Sequence, residues 1–265
     1  MNAAVPGKLM EIADKVVVVT GGCSGIGAGL ARRFADDGAR AVIVADLRTD
    51  GAPEGTTAHR CDVGQECELA TLVNRVLADH GHIDLFCSNA GVLTPGWDMR
   101  EADFERWQRD WSINVMAHAY AAKAVLPTMI ARREGYLLQT LSAASLLATP
   151  ESIIYTTTKH AALGLAESLA FTYARFGIRV SALCPMAVRT QMVDTFDATG
   201  GSAGMDGILD VEDVAQAVIA GIRDERFLIF PHPMVADYYA KKAAHPEKWL
   251  RRMASLQAQF TKPSA

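Results

Sequence analysis

Residues Thr20–Gly27 read TGGCSGIG, directly behind the valine run Val16–Val19. A β-branched run with no polar alternation reads as a strand buried on both faces. Gly21, Gly22, Gly25 and Gly27 then put side-chain-free backbone at the strand's end. Glycine lets the chain turn tightly and lets a phosphate approach the backbone closely. The amides at the start of a following helix face such a phosphate with the positive end of the helix dipole. A P-loop needs Gly-Lys-Ser/Thr, which this stretch lacks. The plain alternative is a tight turn without a ligand.

Working outward, apolar runs recur at Ala41–Ala45, Ile83–Cys87, Tyr136–Leu141, Arg179–Leu183 and Phe227–Phe230, with a weaker one at Thr56–Cys61. Helical periodicity lies between them, near Ile26–Asp37, Glu66–His80, Glu101–Arg133, Ser152–Phe176 and Val211–Arg223. Alternation of this kind predicts an α/β fold: a Rossmann-type, doubly wound parallel sheet with helices on both faces. Neither a repeat nor a Pro/Gly linker divides the chain, so a single domain over residues 1–265 is expected. Residues 186–209 are rich in Gly, Asp, Thr and Met and read as a mobile substrate loop. Residues 231–265 form a C-terminal extension.

Composition narrows the function. Half of the 265 residues are hydrophobic, and the net charge of -4 gives nothing overall that attracts nucleic acid or an anionic membrane. The five cysteines, Cys23, Cys61, Cys67, Cys87 and Cys184, are odd in number and form no C-x-x-C. A disulfide framework or zinc site is therefore not expected, and the cysteines read as core residues, with Cys23 set apart by its place in the glycine turn. The histidines lack ligand spacing, so no metal is expected and each reads as a surface or satisfied side chain. Apolar runs stop short of a membrane span, and the N-terminus does not read as a signal peptide. A cytoplasmic setting is the default expectation.

Two further signals are chemical. Strand two ends in VIVAD, which places Asp46 about 20 residues beyond the glycines, where a carboxylate accepts hydrogen bonds from both adenosine ribose hydroxyls. It repels a 2′-phosphate, so it favours NAD over NADP. The segment YTTTK places Tyr155 and Lys159 on one helical face. A phenol titrates near ~10, too high for proton exchange at neutral pH, and a fixed ammonium lowers that value. Ser142, at the end of its strand, can hydrogen-bond the same substrate oxygen.

With T-G-x-x-x-G-x-G at Thr20–Gly27, Asp46, Asp62-Val63, N-A-G at Asn89–Gly91, Asn114, Ser142, and Tyr155 with Lys159 in order, the chain resembles the short-chain dehydrogenase/reductase family over roughly residues 15–192. The resemblance implies reversible hydride transfer between NAD(H) and a secondary alcohol or ketone. It implies that Tyr155 is the general acid/base, that Lys159 lowers its pKa and holds the nicotinamide ribose, that Ser142 orients the substrate oxygen, and that Asn114 holds a relay water. The implied cofactor set is Gly21, Cys23, Ser24, Gly25, Ile26, Gly27, Asp46, Leu47, Asp62, Val63, Asn89, Ala90 and Gly91, with Tyr155, Lys159, Pro185, Val188 and Thr190. The family usually has Pro-Gly after strand six, whereas this chain has Pro185-Met186.

The implied substrate wall is apolar: Leu93, Ala144, Met186, Met192 and Phe196, with Trp97, Leu146 and Leu147 nearby and Arg189 as a lone cation. Such a wall favours a hydrophobic alcohol. Long apolar helices at Glu101–Arg133 and Ser152–Phe176 suggest self-association, and the family resemblance implies a homodimer or homotetramer. Two alternatives stand beside this reading: an NADPH-dependent carbonyl reductase of the same family, and a non-catalytic NAD-binding regulator.

Overall fold

The computed structural model describes residues 10–193 and 200–260. Seven parallel strands form one sheet in the order β3-β2-β1-β4-β5-β6-β7. They are β1 (Val16–Thr20), β2 (Ala41–Asp46), β3 (Thr57–Arg60), β4 (Leu85–Ser88), β5 (Gly135–Thr140), β6 (Ile178–Leu183) and β7 (Leu228–Ile229). The helices are α1 (Gly25–Asp36), α2 (Glu66–His80), α3 (Phe104–Trp111), α4 (Ala117–Arg132), α5 (Ala144–Leu147), α6 (Ile153–Tyr173), α7 (Val211–Arg223), α8 (Met234–Ala244) and α9 (Pro246–Phe260). The predicted doubly wound fold is borne out.

The valines of β1 show why the sheet is covered on both sides. Val16 and Val18 join one buried layer with Leu69, Val73, Val125 and Leu169, from α2, α4 and α6. Val17 and Val19 point the other way and join Leu30, Phe34, Val214 and Val218, from α1 and α7. Successive side chains of a strand serve opposite faces, so an unbroken apolar run is what two helical layers require.

Strand order reverses between β1 and β4. A crevice opens at that reversal, beyond the carboxyl ends of the strands. The polar side chains of two turns close its floor. Thr20 Oγ1 accepts the amides of Asn89 at 2.9 Å and Ala90 at 3.1 Å, and Asn89 Nδ2 donates to the Thr20 carbonyl at 2.9 Å.

Two expectations change. Glu101–Arg133 is not one helix: α3 ends at Trp111, a π turn spans Ser112–Met116, and α4 follows with Pro127 inside it. A π turn carries one extra residue per turn and turns the following side chains to a new face; here it carries Asn114. The segment expected only as a C-terminal extension folds into the two helices α8 and α9. No helix among the described residues is long and apolar enough to cross a membrane.

Candidate active site

A cavity of about 690 Å³ runs from the carboxyl ends of β1 and β2, past β4 and β5, to the C-terminal helices. At one end the glycine turn approaches the chain after β4. Gly21 has φ +62, and a Cβ there would lie 2.9 Å from the Ala90 Cα. A Cβ on Gly27 would lie 2.1 Å from the Gly21 carbonyl oxygen. Only glycine fits either position, so the turn and the first turn of α1 pack backbone on backbone. Ser24 precedes α1 without a side-chain cap, and the first turn carries no acidic residue. Ser24, Gly25 and Ile26 lie on the cavity wall, and the free amides of that first turn suit an anion.

Asp46 ends β2 at the same end of the cavity, and its Oδ2 accepts the Cys23 amide at 3.2 Å. Burial, then the carboxylates of Asp46 and Asp50, push the Cys23 thiol up, which disfavours the reactive thiolate. Asp62 Oδ1 accepts the Gly64 amide at 2.9 Å and so is held in place beside Val63 on the cavity wall.

The catalytic candidates meet at the middle. Ser152 caps α6: its Oγ accepts the Tyr155 amide at 3.0 Å and donates to the Thr94 carbonyl at 2.6 Å. The helix then presents Tyr155 and Lys159 together, with the ammonium nitrogen 5.5 Å from the phenol ring centroid. Lys159 Nζ donates to the Thr140 carbonyl at the end of β5, at 3.1 Å. Ser142 follows β5 and hydrogen-bonds the Tyr155 hydroxyl.

The electrostatics differ from the expectation that the ammonium lowers the phenol's pKa. Burial dominates at Tyr155 and pushes it up to about 12, opposed by the Ser142 hydrogen bond and assisted by Cys184. Burial lowers Lys159 to about 8. Desolvation disfavours the charged form of each group and is the largest cause at both.

Of the predicted cofactor residues, Gly21, Ser24, Gly25, Ile26, Asp46, Leu47, Asp62, Val63, Asn89, Ala90, Gly91, Pro185, Val188 and Thr190 line the cavity, as do Ser142, Tyr155 and Lys159. Cys23 and Gly27 do not reach its surface. Neither does Asn114, whose side chain is committed to Val92 N at 2.9 Å, Val92 O at 2.9 Å and Thr158 Oγ1 at 3.2 Å. A Cβ on Gly91 would lie 3.3 Å from Asn114 Oδ1 and 3.5 Å from Lys159 Nζ, so the glycine is what leaves room between the two.

Among the predicted substrate residues, Leu93, Ala144, Met186 and Met192 line the cavity, as does Leu147. Phe196 lies outside the described residues. Trp97 and Leu146 are not on the wall, and Arg189 is turned away into an ion pair with Asp210 at 2.8 Å. Sequence reasoning missed the far end. Trp249, Met253 and Leu256 from α9 close it, at the i, i+4, i+7 spacing that signals one helical face. Trp249 Nε1 donates to the Leu147 carbonyl at 3.3 Å, and Lys242 Nζ donates to the Leu146 carbonyl at 2.5 Å. These bonds tie α8 and α9 to the last carbonyls of α5.

Three side-chain expectations need correction. His118 is neither exposed nor satisfied: both ring nitrogens are buried without a partner, and burial lowers it to about 3. His232 is buried and only half satisfied: its Nδ1 accepts the Met186 amide at 3.2 Å and so holds the backbone of the cavity wall, while its Nε2 has no hydrogen-bond partner among the described residues. Cys67 is exposed, whereas Cys61, Cys87 and Cys184 do lie in the core. Among the described residues no cluster of His, Cys, Asp or Glu could hold a metal ion.

The sequence profile of a family described as short chain dehydrogenase matches residues 15–200. A relative, the 1-deoxy-11-beta-hydroxypentalenate dehydrogenase of Streptomyces exfoliatus, is 36% identical over 233 residues, covering 83% of this chain and 84% of that one. The borneol dehydrogenase of Lavandula x intermedia is 30% identical over 237 residues, covering 86% and 91%. In three dimensions, a short chain dehydrogenase/reductase from Burkholderia phymatum in complex with NAD superposes with a TM-score of 0.82 at 26% identity, covering 97% of this chain and 100% of that one. The chain belongs to the short-chain dehydrogenase/reductase family, oxidoreductases that bind a nicotinamide cofactor.

Proposed function

We propose that this protein is an NAD-dependent dehydrogenase of hydrophobic secondary alcohols, working reversibly on the corresponding ketones. The observation that carries the reading is the meeting of Ser142, Tyr155 and Lys159 halfway along a cavity with Asp46 at one end and apolar side chains at the other. The residues present fit a dinucleotide: glycine backbone and the uncapped start of α1 suit a pyrophosphate, and Asp46 suits an unphosphorylated ribose. When bound, the nicotinamide supplies the hydride acceptor for oxidation and the donor for reduction.

The chain's own part is the proton. Tyr155 Oη takes the proton of the alcohol hydroxyl, or returns it to the ketone oxygen. Ser142 holds that oxygen in place and stabilises the phenolate by donating to it. Lys159, fixed by Thr140, keeps a positive charge beside the phenol. The substrate side is formed by Leu93, Ala144, Met186, Met192 and the α9 residues Trp249, Met253 and Leu256, with Asp206, Arg252 and Gln259 also on the wall, which suits a largely apolar ring system that carries a polar group. Both named relatives carry an alicyclic alcohol or hydroxy acid in their names, which supports that class.

The test is Tyr155→Phe. It keeps the packing and removes the proton carrier. Cofactor binding by titration stays near the unaltered value, while alcohol-dependent NADH formation falls ~10²–10⁴-fold. Near-normal kcat in the variant refutes the assignment.

A further inference from the structure

We propose that Glu151 is a positioning residue that ties the wall segment at Gly200–Gly204 to the catalytic helix. Glu151 lies one residue before the Ser152 cap of α6 and is 8% exposed, a buried carboxylate on the cavity wall. Its Oε1 accepts the Ser202 amide at 2.6 Å and its Oε2 accepts the Ser202 hydroxyl at 2.8 Å. Thr149 Oγ1 also donates to Oε2. The carboxylate is thus held by three donors, one from neighbouring Thr149 and two from Ser202, 51 positions further along the chain.

The other side of the same residue is equally committed. The Glu151 carbonyl accepts the Gly96 amide at 3.0 Å, and the Ile153 amide donates to the Gly96 carbonyl at 3.0 Å. Ser152 holds both Thr94 and the amide of Tyr155. The dipeptide Glu151-Ser152 therefore joins three parts of the site: the chain after β4, the first turn of α6 and the short 3-10 turn at Gly201–Gly204. That turn carries Ser202 and Ala203 on the cavity wall. Without the carboxylate, long contacts remain among the described residues, such as Thr149 Oγ1 to Ser202 Oγ and Ala187 N to Ala203 O, each at 3.4 Å. Charge-assisted bonds in a site of low dielectric are the strong ones, so the carboxylate sets where this wall stands relative to the Tyr155 hydroxyl. Neither composition nor periodicity marks Glu151, because its role depends on a partner far along the chain.

Amide hydrogen exchange on the full-length protein, with no ligand added, tests the tie directly. In Glu151→Ala, exchange in a peptide covering 200–204 accelerates about tenfold or more, the weight of a charge-assisted hydrogen bond. In Glu151→Gln, which keeps an oxygen for the Ser202 amide but loses the charge, exchange lies between that of the unaltered protein and that of Glu151→Ala. Should Glu151→Ala fail to fold, Ser202→Ala removes the hydroxyl bond alone and gives a smaller acceleration in the same peptide. Unchanged exchange in the alanine variants, or a glutamine variant as fast as alanine, overturns the proposal. A kinetic arm rests on the alcohol dehydrogenase reading: Glu151→Ala raises the alcohol KM about tenfold and leaves NAD affinity alone, whereas an equal loss of NAD affinity points to general damage and overturns it. If the unaltered protein oxidises no alcohol, that reading fails while the exchange measurement still decides the tie.

Discussion

Lys159 spends its hydrogen bond on the Thr140 carbonyl, 3.1 Å away, and meets Tyr155 only through space, 5.5 Å from the ring centroid. The lysine is therefore anchored to the sheet independently of the phenol. Its charge acts on Tyr155 at a fixed separation, whichever protonation state the phenol is in.

This arrangement gives the two reaction directions different pH profiles. Oxidation needs the phenolate, and with Tyr155 near 12 the phenolate fraction rises about tenfold per pH unit while Lys159 stays charged. Lys159 loses its proton near 8, and with it the charge that favours the phenolate. Alcohol oxidation is expected to climb steeply up to about pH 8 and to flatten above it. Ketone reduction uses the protonated phenol, so it stays level through pH 8 and falls only as the pH approaches 12. Separate kcat/KM profiles check this; a reduction rate that climbs through the alkaline range contradicts it.

Lys159→Met should separate stability from activity. The folded pKa of Lys159 lies below its unfolded value, so the unfolded chain binds more protons between about 8 and 10.5, and stability from this group rises with pH across that window. Below the window the buried ammonium is a net cost. Removing it is expected to raise the melting temperature by a few degrees at neutral pH, while turnover drops at least ~10²-fold. A lowered melting temperature, read by calorimetry, tells against the burial cost.

Asp46→Ala tests cofactor choice. Among the described residues the carboxylate accepts the Cys23 amide at 3.2 Å, and Asp46 lines the cavity. Its removal is expected to narrow the ratio of kcat/KM for NAD over NADP by about tenfold or more, because like-charge repulsion at close range is lost. An unaltered protein that prefers NADP rejects the premise.

Met186→Gly should shift substrate choice without loss of cofactor affinity. The Met186 amide is held by His232 at 3.2 Å, and its side chain sits on the wall beside the catalytic residues. Contacts of this size are worth ~1–3 kcal/mol, so bulky alcohols gain tens-fold in kcat/KM relative to small ones. A large loss of NAD binding with an unchanged alcohol profile places the side chain against the cofactor instead.

Self-association is expected through α3 and α6, where Phe104 is 69% exposed and Phe171 is 74% exposed. Apolar side chains this open, on helices that a second copy can cover, mark a contact surface. Light scattering at micromolar concentration should give a dimer or tetramer, and Phe171→Glu should lower that mass. A monomer in the unaltered protein ends the proposal.

The sequence made the sheet legible because buried parallel strands announce themselves: β1, Val16–Thr20, covers the valine run read as a strand, and α2 and α7 hold their predicted bounds. The chemistry-bearing residues were legible for a similar reason, since Ser142, Tyr155 and Lys159 need only a strand end and one helical face to meet. What stayed hidden depends on distant partners. The π turn at Ser112–Met116 leaves no mark on apolar periodicity. Burial at His118 follows from how α4 packs, not from its own sequence neighbours. Trp249, Met253 and Leu256 did carry a helical signal, but nothing local says that the face they form closes a cavity beginning more than two hundred residues earlier.

The knot of Thr20 and Asn89 at the head of the sheet has a thermodynamic consequence. Thr20 Oγ1 and Asn89 Nδ2 already fix the two turns that flank the crevice, through bonds of 2.9–3.1 Å. A dinucleotide arriving there orders little protein, so its binding pays mainly its own loss of motion. The corresponding heat-capacity change should reflect surface covered and not chain folded.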